Sequence, residues 1–198
     1  YYLLAISHDP TLWKAYRDLA FLYDIFADYE NTNRYMARAV SFSPTPESLY
    51  YDLGYSFDML EQTDSAMFYY RLALEFDPDD YQANLNIGAI WGNWGEIDSA
   101  RTYTERSLAA NPDFPEACFN FAEIMAMDGD TAAAISYFSK TLALNPGVFA
   151  ARKRLGELHE AMGDSALARI YFEEFLDSAP VIYADDINEI RNKLDRYK

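Results

Sequence analysis

The sequence predicts an all-α chain, an array of antiparallel helix hairpins, and three observations support this fold class. Six prolines recur at an unbroken interval of 34 residues, at Pro10, Pro44, Pro78, Pro112, Pro146 and Pro180. The same pattern of large and small residues recurs between these prolines. Glycines and aspartates suited to a tight turn recur near the middle of the interval. A fixed repeat of this length is typical of helical arrays in which each unit packs only on its neighbours.

The prolines predict where helices end. Each follows an apolar run with helical spacing, such as residues 70–76. A proline ring cannot continue a helix, and it pushes the preceding residue towards extended geometry. Asp77, Asn111 and Asn145, which come directly before three of the prolines, favour a turn. The sequence therefore predicts one helix end in every 34 residues.

The interval divides the chain into repeats, which we predict to form one continuous domain. The five full repeats comprise residues 13–46, 47–80, 81–114, 115–148 and 149–182. Residues 1–12 match only the last third of a repeat, which predicts the second helix of a partial preceding repeat and a fragment of a longer chain. Residues 183–198 predict a capping helix that ends the array, with Ile187 and Ile190 on its apolar side and Arg196 on its charged side.

Small residues mark the place where the two helices of a hairpin meet. They recur at Ala20, Gly54, Gly88, Ala122 and Gly156, where a small side chain lets the second helix approach closely. The turn inside the hairpin is also predicted. Gly129 and Gly163 suit a left-handed turn after the first helix, and Asp130 and Asp164 can cap the second helix.

The residues of each repeat also match a family pattern. In residues 47–80 the pattern consists of Tyr50, Leu53, Gly54, Phe57, Ala66, Tyr70, Ala73 and Pro78. It resembles the tetratricopeptide repeat, which has an aromatic residue, Leu-Gly, an aromatic residue, Ala, an aromatic residue and Pro at these offsets. The resemblance implies a right-handed superhelical solenoid in which the first helix of each hairpin lines a concave groove. It also implies a protein–protein interaction module.

The family pattern implies which side chains face the groove. The position before the recurrent apolar residue holds Asp18, Asp52, Asn86, Asn120 and Arg154, a polar ladder with one rung per repeat. An asparagine amide can donate to and accept from a peptide backbone at once. Such a ladder could hold an extended chain with little dependence on its sequence. The alternative is that polar residues are common at this position in the family and bind nothing here.

Residues beside the ladder complete the predicted peptide-binding site. The site comprises Asp18, Phe21, Tyr51, Asp52, Tyr55, Asn86, Phe119, Asn120, Glu123, Lys153 and Arg154. Its N-terminal half is aromatic and acidic, and exposed aromatic side chains suit peptide anchoring. Its C-terminal end carries the positive charges of Lys153 and Arg154. We expect a groove graded from acidic to basic to orient a bound peptide.

The net charge narrows the class of partner. The chain carries −16 overall, and residues 1–148 hold 8 basic and 22 acidic residues, a net charge of −14. Such a field repels phosphate backbones and anionic lipids, so nucleic acid and membrane surfaces are poor candidates. It favours encounter with a basic protein or peptide. The alternative is that the acidic charge only keeps an aromatic-rich array in solution.

The sequence predicts no catalytic centre, metal site or cofactor. His159 takes the place of core aromatic residues in other repeats, and His8 lies at a predicted helix end. Cys118 is the single cysteine, so no cysteine-based zinc site exists, and it is expected to be a buried thiol. Asp128 and Asp130 flank a glycine as in a calcium loop, but the downstream ligands are missing, and a hairpin turn explains them.

We therefore predict a non-catalytic scaffold that grips a peptide or extended protein segment, of basic character, in its concave groove. Two alternatives stay open: a substrate-recruiting arm of a larger enzyme such as a glycosyltransferase, and an assembly module that self-associates through its N-terminal half-repeat. The sequence contains no run of 18 apolar residues, so it predicts no membrane-spanning helix. The sequence does not distinguish between a cytoplasmic and a periplasmic location.

Overall fold

The computed structural model describes residues 1–195, and all regular secondary structure in this part of the chain is helical. The α-helices are α1 (Tyr2–His8), α2 (Trp13–Ile25), α3 (Tyr29–Phe42), α4 (Tyr50–Asp58), α5 (Thr63–Phe76), α6 (Tyr81–Asn93), α7 (Ile97–Ala110), α8 (Pro115–Met127), α9 (Thr131–Leu144), α10 (Phe149–Ala161), α11 (Ser165–Ser178) and α12 (Ala184–Leu194). Short 3₁₀ turns, Pro46–Leu49 and Val181–Tyr183, precede α4 and α12. The predicted extension of the last helix to Lys198, which includes Arg196, lies outside the described residues.

The helices form two compact units. The N-terminal unit, Tyr1–Ala110, contains three hairpins, α2–α3, α4–α5 and α6–α7, with α1 packed on α2. In this unit the second helix of each hairpin packs on the first helix of the next. The C-terminal unit begins at Asn111 and contains the hairpins α8–α9 and α10–α11, with α9 packed on α10 and α12 packed on α11. The predicted all-α fold of antiparallel hairpins is confirmed.

Small residues allow close approach within the hairpins, as predicted. A Cβ atom added at Gly54 would lie 2.8 Å from Cδ1 of Tyr70, and one added at Gly156 would lie 2.5 Å from Cε1 of Phe172. Both rings are fully buried. The missing side chain of the first helix therefore makes room for a large ring of the second helix, and the two helices interlock at this level.

The turns between paired helices use one backbone geometry. The residue before the capping position has a positive φ in each turn, +81° at Gly129 and +80° at Gly163. The carboxylates of Asp130 and Asp164 then accept hydrogen bonds from backbone N–H groups of the next helix, at 3.0 and 3.1 Å. These turn predictions are therefore confirmed.

Predicted core residues are buried in the C-terminal unit. His159 is only 8% exposed, and its ring stacks on Tyr171 at 5.6 Å between centroids. Cys118 is fully buried. Ile190 of α12 is fully buried with the core residues Phe172 and Phe175. The apolar side of α12 therefore covers the end of the C-terminal unit's core.

Candidate functional site

Four of the predicted site residues converge on one cavity in the N-terminal unit. The cavity has a volume of about 320 Å³ and is lined by Phe21, Asp24, Thr32, Met36, Tyr51, Asp52, Tyr55 and Gln82. These residues come from the first helices α2, α4 and α6 and from the second helix α3. We call this space the acidic–aromatic cavity.

Four of the lining residues were not predicted from the sequence. Asp24 lies three residues after Phe21, and Gln82 lies four residues before Asn86, so helical spacing places each on the face of its predicted neighbour. This helical spacing could have identified Asp24 and Gln82 as candidate site residues from the sequence. Thr32 and Met36 belong to a second helix, to which the family pattern assigns no ligand contacts. Only the packed structure brings them to the cavity.

Aromatic rings form the wall of the cavity. Tyr51 and Tyr55 lie one helical turn apart on α4, and their rings stack with centroids 6.5 Å apart and an interplanar angle of 23°. Phe21 of α2 is 42% exposed, although it is a large apolar side chain. Tyr51 also packs against the fully buried ring of Tyr70, with centroids 5.8 Å apart. The wall is therefore anchored in the core on one side and accessible on the other.

Asp52 is an unpaired, half-buried carboxyl group in this wall. Within residues 1–195 it takes part in no hydrogen bond or ion pair. Burial raises the pKa of Asp52 to about 6. The positive charge of Arg17 opposes this rise, whereas Asp80 and Asp24 add to it. The Asp52 carboxylate is thus a negative charge without an ion-pair partner, which Arg17 offsets only in part.

Asp18, the equivalent ladder residue in the preceding hairpin, forms an ion pair with a neighbouring arginine. The Nη2 and Nε atoms of Arg17 donate to Oδ1 of Asp18 at 2.8 and 3.0 Å. Both side chains are about one third exposed. A ligand would have to compete with this pair for Asp18, which makes Asp52 the more available carboxylate of the two.

The amide of Asn86 is partly engaged. Its Nδ2 donates to the hydroxyl oxygen of Tyr70 at 2.9 Å, and the Tyr70 hydroxyl donates to Oδ2 of Asp58 at 3.3 Å. Burial raises the pKa of Tyr70, so this hydroxyl stays a donor at neutral pH. The Asn86 amide is therefore used to orient Tyr70, and it also interacts with the Tyr51 hydroxyl. Its carbonyl oxygen accepts no hydrogen bond within the described residues.

Lys153 and Arg154, which were predicted to supply positive charge to the groove, take part in a network of ion pairs in the C-terminal unit. Arg154 donates to Glu123 at 2.7 and 2.9 Å and to Glu157 at 2.6 Å. Lys153 donates to Asp186 of α12 at 2.5 Å, and it also lies near Glu189 and Glu157. Four carboxylates therefore surround these two cations.

The two other predicted residues of the C-terminal unit differ in their surroundings. The Phe119 ring packs edge-on against the buried Phe138 ring, with centroids 5.4 Å apart. Asn120 is half-buried, and its side chain makes no hydrogen bond among the described residues. In the part of the chain that the structure describes, no cluster of His, Cys, Asp or Glu side chains could hold a metal ion. No described helix is long and apolar enough to cross a membrane.

Fold and repeat pattern together define a class of protein. Sequence models described as "Tetratricopeptide repeat" match residues 47–80, 95–148 and 128–181, which span more than half of the chain. The chain belongs to the tetratricopeptide repeat family. The resemblance that the residue pattern indicated is confirmed. No curated protein is significantly similar to the chain in sequence.

Several solved structures share this fold. PilW, a type IV pilus biogenesis factor, has a TM-score of 0.77 at 24% identity, over 96% of this chain and 87% of PilW. MamA from Desulfovibrio magneticus RS-1 has a TM-score of 0.69 at 19% identity, over 83% of this chain and 93% of MamA. YrrB, a tetratricopeptide protein with an unusual peptide-binding site, has a TM-score of 0.65 at 19% identity, over 93% of this chain and 97% of YrrB. At these identities, the likeness concerns the fold.

Proposed function

We propose that this chain is a non-catalytic protein-interaction scaffold that binds an extended, basic peptide segment. The binding surface is the face of the N-terminal unit formed by α2, α4 and α6. The observation that carries the proposal is the unpaired carboxylate of Asp52, half-buried beside accessible aromatic rings. An uncompensated buried charge destabilises a fold, so its presence favours a role in binding an external cation.

The surroundings of Asp52 favour a peptide over a rigid protein surface. Gln82 on the neighbouring helix α6 supplies an amide, and Asn86 leaves its carbonyl oxygen unbonded within the described residues. Amide groups at successive turns of one helix can hydrogen-bond to the backbone of an extended chain. The net charge of −14 over residues 1–148 would accelerate encounter with a basic segment.

The predicted residues of the C-terminal unit divide into two groups under this proposal. Phe119 and Asn120 remain candidate peptide contacts. Glu123, Lys153 and Arg154 act mainly in folding, since their charges are satisfied by ion pairs within the unit. Among the similar structures, YrrB carries a peptide-binding site on this fold, which is compatible with a peptide ligand here.

A selection from a random-sequence peptide display library tests the proposal directly. The wild-type chain should enrich peptides rich in arginine and lysine, and the enriched peptides should lose binding to Asp52→Lys. The matched control is Glu75→Lys, which makes the same charge change at an exposed position on the second helix α5. Enrichment of acidic peptides, or equal loss of binding to both variants, would refute the proposed face.

Self-association is a second candidate function, favoured by one specific observation. An apolar cavity of about 280 Å³ opens between α1 and α2, lined by Tyr1, Tyr2, Leu3, Leu19, Leu22, Tyr23 and Phe26. Phe26 is 73% exposed, and exposed apolar patches of this kind mark interaction surfaces.

Analytical ultracentrifugation over a range of protein concentrations tests self-association. A mass that rises with concentration, and that Leu22→Lys returns to the monomer value, would support it. A constant monomer mass would exclude it.

A further inference from the structure

We infer that the acidic–aromatic cavity is a specificity pocket for one arginine side chain of the bound segment. The inference rests on the proposed function of the face formed by α2, α4 and α6, and it names the residue type that the face selects. Asp24 and Asp52 would receive the guanidinium group, and the rings of Phe21, Tyr51 and Tyr55 would enclose it.

The shape of the cavity suits a single long side chain. Its volume of about 320 Å³ is at the lower end of the range for small-ligand pockets, about 300–1,000 Å³. The apolar part of the lining, with Met36 and the aromatic rings, can cover the aliphatic stem of the side chain. The carboxylates of Asp24 and Asp52 and the amide of Gln82 supply polar contacts. An all-apolar side chain would leave these polar groups without partners, which opposes its binding.

The two carboxylates come from different helices and have no partner within the described residues. Asp24 lies on α2 and Asp52 on α4, and neither side-chain carboxylate takes part in a hydrogen bond or ion pair there. The charged groups that act on Asp52 are Arg17 and Asp24 from α2 and Asp80 at the start of α6. Since Arg17 is already bonded to Asp18, the cavity keeps an excess of negative charge. A cation entering from solvent would balance it.

Arginine fits this arrangement better than lysine does. A guanidinium group is planar and presents five N–H donors, so it can stack on a ring while it donates to two carboxylates. The ammonium group of lysine is a compact, strongly hydrated charge and has no flat face to stack. The aromatic wall of Tyr51 and Tyr55 therefore discriminates between the two cations, whereas the carboxylates attract both.

The chain contains an internal example of the proposed contact. In the C-terminal unit, Arg154 occupies the rung equivalent to Asp52 and is held by Glu123 of α8 and Glu157 of α10. There, carboxylates on two first helices bind one guanidinium group from the chain itself. In the N-terminal unit, carboxylates on two first helices lack that guanidinium. An arginine of the ligand would supply it.

The test uses the whole chain with methionine methyl groups labelled for NMR, because Met36 lines the cavity. The probes are blocked pentapeptides, Gly-Gly-Xaa-Gly-Gly, in which Xaa is arginine, lysine or citrulline. Citrulline keeps the shape of arginine but is uncharged. We expect the arginine peptide to shift the Met36 methyl signal in a saturable manner. Citrulline should bind about tenfold or more weakly, the size of a lost charged hydrogen bond, and lysine should fall between them.

Charge-removing variants complete the experiment. Asp24→Asn/Asp52→Asn should abolish the preference for arginine over citrulline. The control Glu75→Gln/Glu105→Gln, which removes two exposed charges from the second helices α5 and α7, should keep it. Equal affinity of the arginine and citrulline peptides for the wild-type chain would overturn the pocket, and this result needs no variant to fold.

Failure of the pocket can be separated from failure of the proposed function. If display-selected peptides bind the face, but replacing each of their arginines by citrulline leaves affinity unchanged, the pocket is wrong and the proposed function stands. If the library enriches no peptide that depends on Asp52, the proposed function itself is wrong. If one arginine in a selected peptide accounts for about a tenfold loss on conversion to citrulline, and only with Asp24 and Asp52 intact, the pocket is supported.

Discussion

Replacing Asp52 with asparagine should stabilise the free protein at neutral pH. In the fold, burial raises the pKa of Asp52 from 3.8 to about 6. Each pKa unit corresponds to about 1.4 kcal/mol, so the ionised carboxylate costs at most about 3 kcal/mol above pH 7. An asparagine amide is also partly desolvated at this half-buried site, which leaves an expected gain of about 1–2 kcal/mol. A chain of this length should then melt about 2–8 °C higher.

The stability difference between Asp52→Asn and the wild type should depend on pH. Because the folded state holds the Asp52 proton more tightly than the unfolded state, the contribution of this group to stability is fully present below about pH 4. It is lost as the pH rises through about 6. The variant and the wild type should therefore differ little at pH 4 and differ most at pH 7 to 8.

Denaturant unfolding of wild type and variant at pH 4, 5, 6, 7 and 8 measures the effect. The matched control is Asp18→Asn, one repeat earlier, where the carboxylate already pairs with Arg17. That variant should be neutral or slightly destabilised at every pH, since it leaves a cation without its partner. If Asp52→Asn lowers stability at pH 7, or if its gain persists unchanged at pH 4, the description of Asp52 as an unpaired buried charge is wrong.

Binding of an arginine-containing peptide should weaken as the pH falls through about 6, because Asp52 takes up a proton; titration calorimetry at pH 5 and 7.5 would show a flat profile if Asp52 were not involved. Ala27→Gly and Glu61→Gly should each raise stability by about 0.5–1 kcal/mol, because these residues have φ of +54° and +58°, where other turns have glycine; a loss in both would contradict this. Gly156→Ala should lower the free energy of unfolding by about 2 kcal/mol or more, because the new Cβ would lie 2.5 Å from a buried ring. Gly92→Ala, whose Cβ would have its nearest contact at 3.8 Å, should raise the free energy of unfolding by about 0.5–1 kcal/mol, and thermal unfolding measures both variants. Equal effects of the two alanines would contradict the close-packing account.

Much of the fold could be predicted because each repeat contains its own local signals. Prolines end helices through the chemistry of their ring, and Gly129 and Gly163 mark turns through their φ preference. The contact between Gly156 and Phe172 follows from spacing alone, since the two residues are 16 apart in one hairpin. Interactions within one repeat are short in sequence, so a regular pattern predicts them well.

The candidate site was less predictable because its properties depend on partners in other repeats. The family pattern places Arg154 on the ladder, but its bonds to Glu123 cross 31 residues, and those of Lys153 to Asp186 cross 33. No local pattern distinguishes a paired cation from a free one. Asn86 behaves in the same way, since its hydrogen bond to Tyr70 depends on how α5 packs against α6.

The availability of Asp52 is also a property of the packed structure. Asp18 and Asp52 are equivalent in sequence, yet only Asp18 pairs with a neighbouring arginine. The position before Asp52 holds Tyr51, whose ring packs against Tyr70, so no cation of its own repeat is at hand. The sequence therefore identifies the ladder positions, and the packed surroundings determine which of their carboxylates remains without an ion-pair partner.

Site-specific photo-crosslinking tests the central claim most directly, namely that the face of α2, α4 and α6 in the N-terminal unit binds a basic peptide. A benzophenone amino acid would replace Phe21 or Tyr55 at the cavity, or Phe68, a 57%-exposed residue on the second helix α5. A display-selected basic peptide should crosslink at Phe21 and Tyr55 and not at Phe68, and excess unlabelled peptide should suppress the product. Crosslinking at Phe68 with none at the cavity positions would place the binding surface on the second helices and contradict the account.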